Sequence, residues 1–100
     1  MITIGTFTRT DDGAYEGAIR TLTLNARSVR IRPIESKGGK APDFRVHIGE
    51  IELGAACKRT SRSERDYISV RFDEPGFAEP VHALLVETAS GFGLAWSRWA

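Results

Sequence analysis

The stretch Asp66-Tyr67-Ile68-Ser69-Val70-Arg71-Phe72 settles the fold class. Ile68, Val70 and Phe72 occupy one set of alternate positions and Tyr67, Ser69 and Arg71 the other. A period of two residues is that of a strand with one dry and one wet face. The same period recurs outward in both directions. Phe44, Val46 and Ile48 alternate with Arg45 and His47, and Val29 and Ile31 alternate with Arg30 and Arg32. Ile51, Leu53, Ala55 and Cys57 continue it, which casts Cys57 as a small core residue and His47 as a solvent-face one. Ile2, Ile4 and Thr6 share one side of a first strand over 2–8. A second strand over 14–25 places Ala18, Arg20, Leu22 and Leu24 opposite Ile19, Thr21 and Thr23. Residues 81–87 fit either period and are read as a strand, and Phe92, Leu94 and Trp96 fill the inner face of the last one.

Between these runs lies turn chemistry. Arg9-Thr10-Asp11-Asp12-Gly13, a hairpin at 25–28, the Gly38-Gly39 loop, a charged turn over 58–65, and Ala89-Ser90-Gly91 each favour reversal of the chain. Pro75 and Pro80 bar a ladder between 74 and 80, because each removes a donor and fixes φ. About eight short strands in 100 residues predict an all-β domain, an antiparallel meander closed into a barrel or half-barrel.

Composition supports one such domain, over 1–100. Hydrophobic residues are 41% and charged ones 27%, which excludes general disorder. No run approaches the roughly 18 apolar residues of a membrane span, and the opening residues lack the basic and apolar regions of a signal peptide. No membrane partner is expected. One cysteine cannot form an internal disulfide, which fits a reducing, cytoplasmic setting.

Several segments resemble a known family. They are Ile4-Gly5-Thr6-Phe7-Thr8, Gly17 to Leu24 (GAIRTLTL), Ile31-Arg32-Pro33-Ile34-Glu35, Lys40 to Val46, Gly54-Ala55-Ala56, Arg65 to Val86, and Trp96-Ser97-Arg98. In order and spacing this set is similar to small bacterial proteins grouped as domain of unknown function 736. The resemblance brings no assigned activity and no catalytic motif. It implies a setting on plasmids and other mobile elements, near conjugation and maintenance genes. It also implies Trp where this chain has Cys57, so a packing residue or a binding platform is replaced.

Enzymatic chemistry finds little to stand on. His47, His82 and Cys57 lack metal-ligand spacing, and neither Cys57–His47 nor Ser69–His82 comes with an orienting group. Gly38-Gly39 between Lys37 and Lys40 lacks the helix of a phosphate loop. No cofactor, no metal and no catalytic residue are expected, and the chain reads as a non-enzymatic binding domain.

Charge is the unevenly distributed property. Residues 20–45 carry Arg20, Arg27, Arg30, Arg32, Lys37, Lys40 and Arg45 against Glu35 and Asp43, a net of +5. Residues 58–71 carry +3 and the remainder −7, so the overall +1 hides a polarised chain. Arg30, Arg32, Arg45 and Arg71 on outward positions, with Lys37, Lys40 and a stacking Tyr67, predict a groove for single-stranded nucleic acid. The competing reading is a protein-interaction module, a homodimer or a modulator of a conjugation or host-defence complex. It would be anchored by Trp99, an edge strand, or Phe77 in its proline-flanked loop.

Overall fold

The computed structural model describes residues 2–21, 25–34, 42–73 and 79–96. They form eight strands: β1 (Ile2–Arg9), β2 (Tyr15–Arg20), β3 (Asn25–Pro33), β4 (Phe44–Ile48), β5 (Ile51–Thr60), β6 (Asp66–Phe72), β7 (Val81–Thr88) and β8 (Gly91–Trp96). Each strand pairs antiparallel with its chain neighbours, and β8 returns to pair with β1, closing a barrel. The expected all-β meander is therefore fully closed, and residues 81–87 are a strand.

The core runs along the barrel axis. Val29, Ile31, Val46, Val70 and Leu94 are completely buried, with Ile19 and Leu85 nearly so. Burial of each such side chain contributes on the order of 1.5–3 kcal/mol. Ile68, Val70 and Phe72 all enter this core, as their alternation demands. No polar or charged residue is buried among the described ones.

Departures from strict alternation account for the misplaced expectations. Between Gly17 and Ile19 the register with β3 shifts, and Ser28 takes φ of 59° there. Asn25–Ser28 is therefore the start of a bulged strand and not a hairpin turn. The bulge lets Ala26 and Val29 both point inward. Correspondingly β2 stops at Arg20, with Ile19 on its inner face and Ala18 and Arg20 exposed. Leu22, Thr23 and Leu24 lie outside the described residues.

A second shift, between Val46 and His47, makes Leu53 an extra residue on β5. Leu53 and Ala56 are buried, whereas Ile51 is exposed and Ala55 and Cys57 face outward. Cys57 is thus a half-buried outer-wall residue, a free thiol opposite Ser69, and not a core residue. The same strand continues to Thr60, so the turn expected over 58–65 is confined to 61–65. A third shift, between Thr3 and Gly5, brings Ile4 against the core and leaves Thr6 outside and Phe7 inside.

Two glycines allow the wall to bend this tightly. A Cβ on Gly17 would sit 2.0 Å from the Thr6 carbonyl oxygen, and one on Gly54 would sit 1.9 Å from that of Arg71. Only hydrogen fits at such an approach.

Candidate functional site

The ladder registers fix which outward side chains are neighbours. Arg32 lies opposite Arg45, Arg45 opposite Ala55, Ala55 opposite Arg71, and Arg71 opposite His82. One lateral row thus crosses β3 to β7, with strands about 4.8 Å apart. Sequence reasoning proposed Arg32, Arg45 and Arg71 as a set, and the fold brings them together. His82 extends the row and was missed, because its place depends on the β6–β7 register, which no local pattern encodes.

The row is partly compensated. Arg45 Nη1 donates to Glu52 Oε1 at 2.7 Å, and Arg71 Nη2 lies 3.5 Å from Asp73 Oδ2. These pairs are exposed and worth about 0–1 kcal/mol, so an incoming phosphate can displace the carboxylates. Arg32 has no ion pair among the described residues.

Arg30 sits one row away, opposite His47 and Glu16. Its Nη2 donates to Asp12 Oδ2 at 2.7 Å and its Nη1 approaches Glu16 Oε1 at 3.3 Å. Asp12 is itself organised by the Thr10 hydroxyl and the Ala14 N–H, which together with Arg30 hold its carboxyl below the ordinary value of 3.8. Arg30 is thereby committed to the β1–β2 turn.

Tyr67 lies four residues from Arg71 on β6, about 13 Å away along the strand. Its neighbour across the ladder is Arg59. It lines a shallow outer groove of about 690 Å³ with Leu84 and Val86. Lys37, Lys40, Phe77 and Trp99 lie outside the described residues. An edge strand is not available as a docking element, because all eight strands are paired on both sides. No cluster of three or more metal-ligating side chains occurs among the described residues.

A different site emerges at one end of the barrel. Following the inward phase of each strand toward this end, apolar residues give way to Arg9 on β1, Lys58 and Thr60 on β5, Asp66 on β6 and Glu87 on β7. They surround an open mouth of about 500 Å³ with Tyr15, Ile68, Leu85 and Phe92 at its floor. Tyr15 is locked edge-on between two rings, 4.9 Å from Phe92 and 6.0 Å from Phe44 by centroid. Lys58 Nζ rests 5.8 Å above the Phe44 ring. Thr60 Oγ1 donates to Asp66 Oδ1 at 3.0 Å, and none of the four charged residues forms an ion pair among the described residues. In sequence these charges flank turns and look like ordinary solvated strand ends. Only the closed topology gathers them around one opening.

Comparison with curated proteins and with solved structures finds no match. The profile of one family, described as protein of unknown function (DUF736), matches residues 3–99, and the chain belongs to that family.

Proposed function

We propose that this protein is a non-enzymatic binding domain that holds single-stranded nucleic acid on its outer wall. The observation that carries this reading is the lateral row of Arg32, Arg45, Arg71 and His82 across β3 to β7. Guanidinium groups on neighbouring strands offer forked donors to successive phosphates. An apolar interior under a charged outer wall is the inverse of a lipid-spanning barrel, which favours an aqueous partner. A free thiol at Cys57 agrees with a reducing, cytoplasmic setting. The mobile-element context implied by the family resemblance makes transferred or replicating single strands the natural ligand class.

Fluorescence anisotropy of a labelled oligonucleotide at two salt concentrations tests this. Each phosphate contact should contribute about −0.7 to the slope of log K against log salt. The triple variant Arg32→Gln, Arg45→Gln, Arg71→Gln should therefore flatten that slope by about 2. Absence of binding at low salt, or binding indifferent to salt, overturns the proposal.

A second reading, a protein contact, is favoured by the uncharged arc of the outer wall. Tyr67, Ser69, Leu84, Val86 and Ala95 line it on β6 to β8, all half-buried or buried although they face outward. A partner here would abut Arg71 and His82, two residues from Ser69 and Leu84, and leave Arg32 free. Protection of these residues from hydrogen exchange on mixing with a partner, with Arg32 unaffected, is the result that would favour it.

A further inference from the structure

We infer that the open mouth of the barrel binds a small aromatic molecule that carries an anionic group and an N–H donor. The site is separate from the outer arginine row and does not depend on it.

Going round the closed sheet from β1 to β5, the inner positions are Arg9, Tyr15, Phe44 and Lys58. From β6 to β7 they are Asp66 and Glu87. Arg9 on β1 and Lys58 on β5 thus bracket the two carboxylates on β6 and β7, with Tyr15 and Phe44 completing the other side of the rim. Phe92 on β8 closes the ring between Glu87 and Arg9.

All four charged side chains are exposed at the rim, where a ligand can reach them. Lys58 stands on the strand next to Asp66, yet no ion pair joins the two signs among the described residues. A ligand lying over the mouth satisfies both at once. Its anionic head meets Arg9 or Lys58, on opposite sides of the mouth, and its N–H group donates to Asp66 or Glu87 between them. Its flat body covers Tyr15, Leu85 and Phe92.

The floor is rigid enough for this. Tyr15 is 8% exposed and held by edge-to-face contacts with two rings. Lys58 is drawn over Phe44, so its ammonium is already placed beside the opening. A volume of about 500 Å³ suits one aromatic ring system with a short polar arm. A nucleoside monophosphate with an exocyclic amine and an aromatic amino acid share this chemistry.

The two sources are separated by titrating the isotopically labelled protein with adenosine monophosphate and, separately, with tryptophan, following amide shifts. Saturable shifts clustered at Tyr15, Ile68, Leu85 and Phe92 with either ligand support the inference, and the ligand that produces them names the source. The double variant Arg9→Gln, Lys58→Gln should weaken that binding by about tenfold or more. Its own spectrum verifies that the barrel is intact. Arg32→Gln, on the outer row, should leave the affinity unchanged, whereas it weakens oligonucleotide binding. No shift at the mouth with either ligand up to about 10 mM overturns the inference. So does an affinity that the Arg9→Gln, Lys58→Gln variant retains.

Discussion

The two ends of the barrel are built from the same eight strands and end in opposite chemistry. At the mouth the inner positions become Arg9, Lys58, Asp66 and Glu87 above an aromatic floor. At the other end Ile2 and Ile51 stand 62% and 61% exposed, and Val81 and Trp96 are half-buried. One end carries charge that stability does not require, and the other carries apolar surface that solubility does not favour. The contrast therefore sets charge at one end of the same core against exposed apolar side chains at the other.

Several substitutions probe the contrast. The largest effects belong to the wall and the core that the two ends share. Gly54→Ala drives a methyl group into the Arg71 carbonyl, 1.9 Å from the ideal Cβ position. It should cost about 3 kcal/mol in urea denaturation and disturb both ends together. If only one end responds, the two are less coupled than the shared wall implies. Leu85→Ala removes a core side chain 1% exposed and should cost about 2–5 kcal/mol by the same measurement.

The ends themselves should then part company. Trp96→Ala, at the apolar end, should cost about 2 kcal/mol, less than a fully buried tryptophan because the ring is half-buried. Lys58→Ala, at the mouth, should cost under about 1 kcal/mol, the scale of its contact with Phe44. Equal losses in thermal unfolding would break the comparison. Ile51→Ser should change stability by under about 0.5 kcal/mol. If the apolar end mediates self-association, sedimentation should show that it shifts the protein toward monomer.

The smallest effect concerns acid. Asp12 titrates below its ordinary 3.8 in the folded chain, held by Thr10 first, then Ala14 and Arg30. Its contribution is present above that ordinary value and fades as pH falls through the lower folded one. Asp12→Asn should therefore lower stability slightly at neutrality and flatten the stability–pH curve below about pH 4, where the two proteins converge. A loss of the same size at about pH 2 as at about pH 7 would show that the charge of the carboxylate is not what matters.

How much of this was legible in the chain depended on whether the information was local. Ile68, Val70 and Phe72 announce their own strand, because period-two burial needs no knowledge of the neighbours. Bulges defeat that logic. The reversal of Ala55 and Cys57 to the outer wall follows from one additional residue, Leu53, opposite β4. Arg32, Arg45 and Arg71 could be grouped because each lies on an outward phase, but Arg30 could not be excluded. Its partners, Asp12 and Glu16, are 18 and 14 positions away and meet it only through the β2–β3 register. The mouth was hidden for the same reason. Arg9, Lys58, Asp66 and Glu87 share nothing in sequence except a position near a strand end.

The β1–β8 seam gives the molecule an unusual sequence of folding events. Every other pairing joins strands that follow one another in the chain, so hairpins can zip locally at little loop-closure cost. Pairing Ile2 with Trp96 must instead gather nearly the whole chain at once. The seam should form late, with small φ-values on β1 and β8 and near-native ones in the central hairpins. Until it closes, two unpaired edges face solvent in a curled sheet, and that open form is the species most prone to exchange strands with another copy.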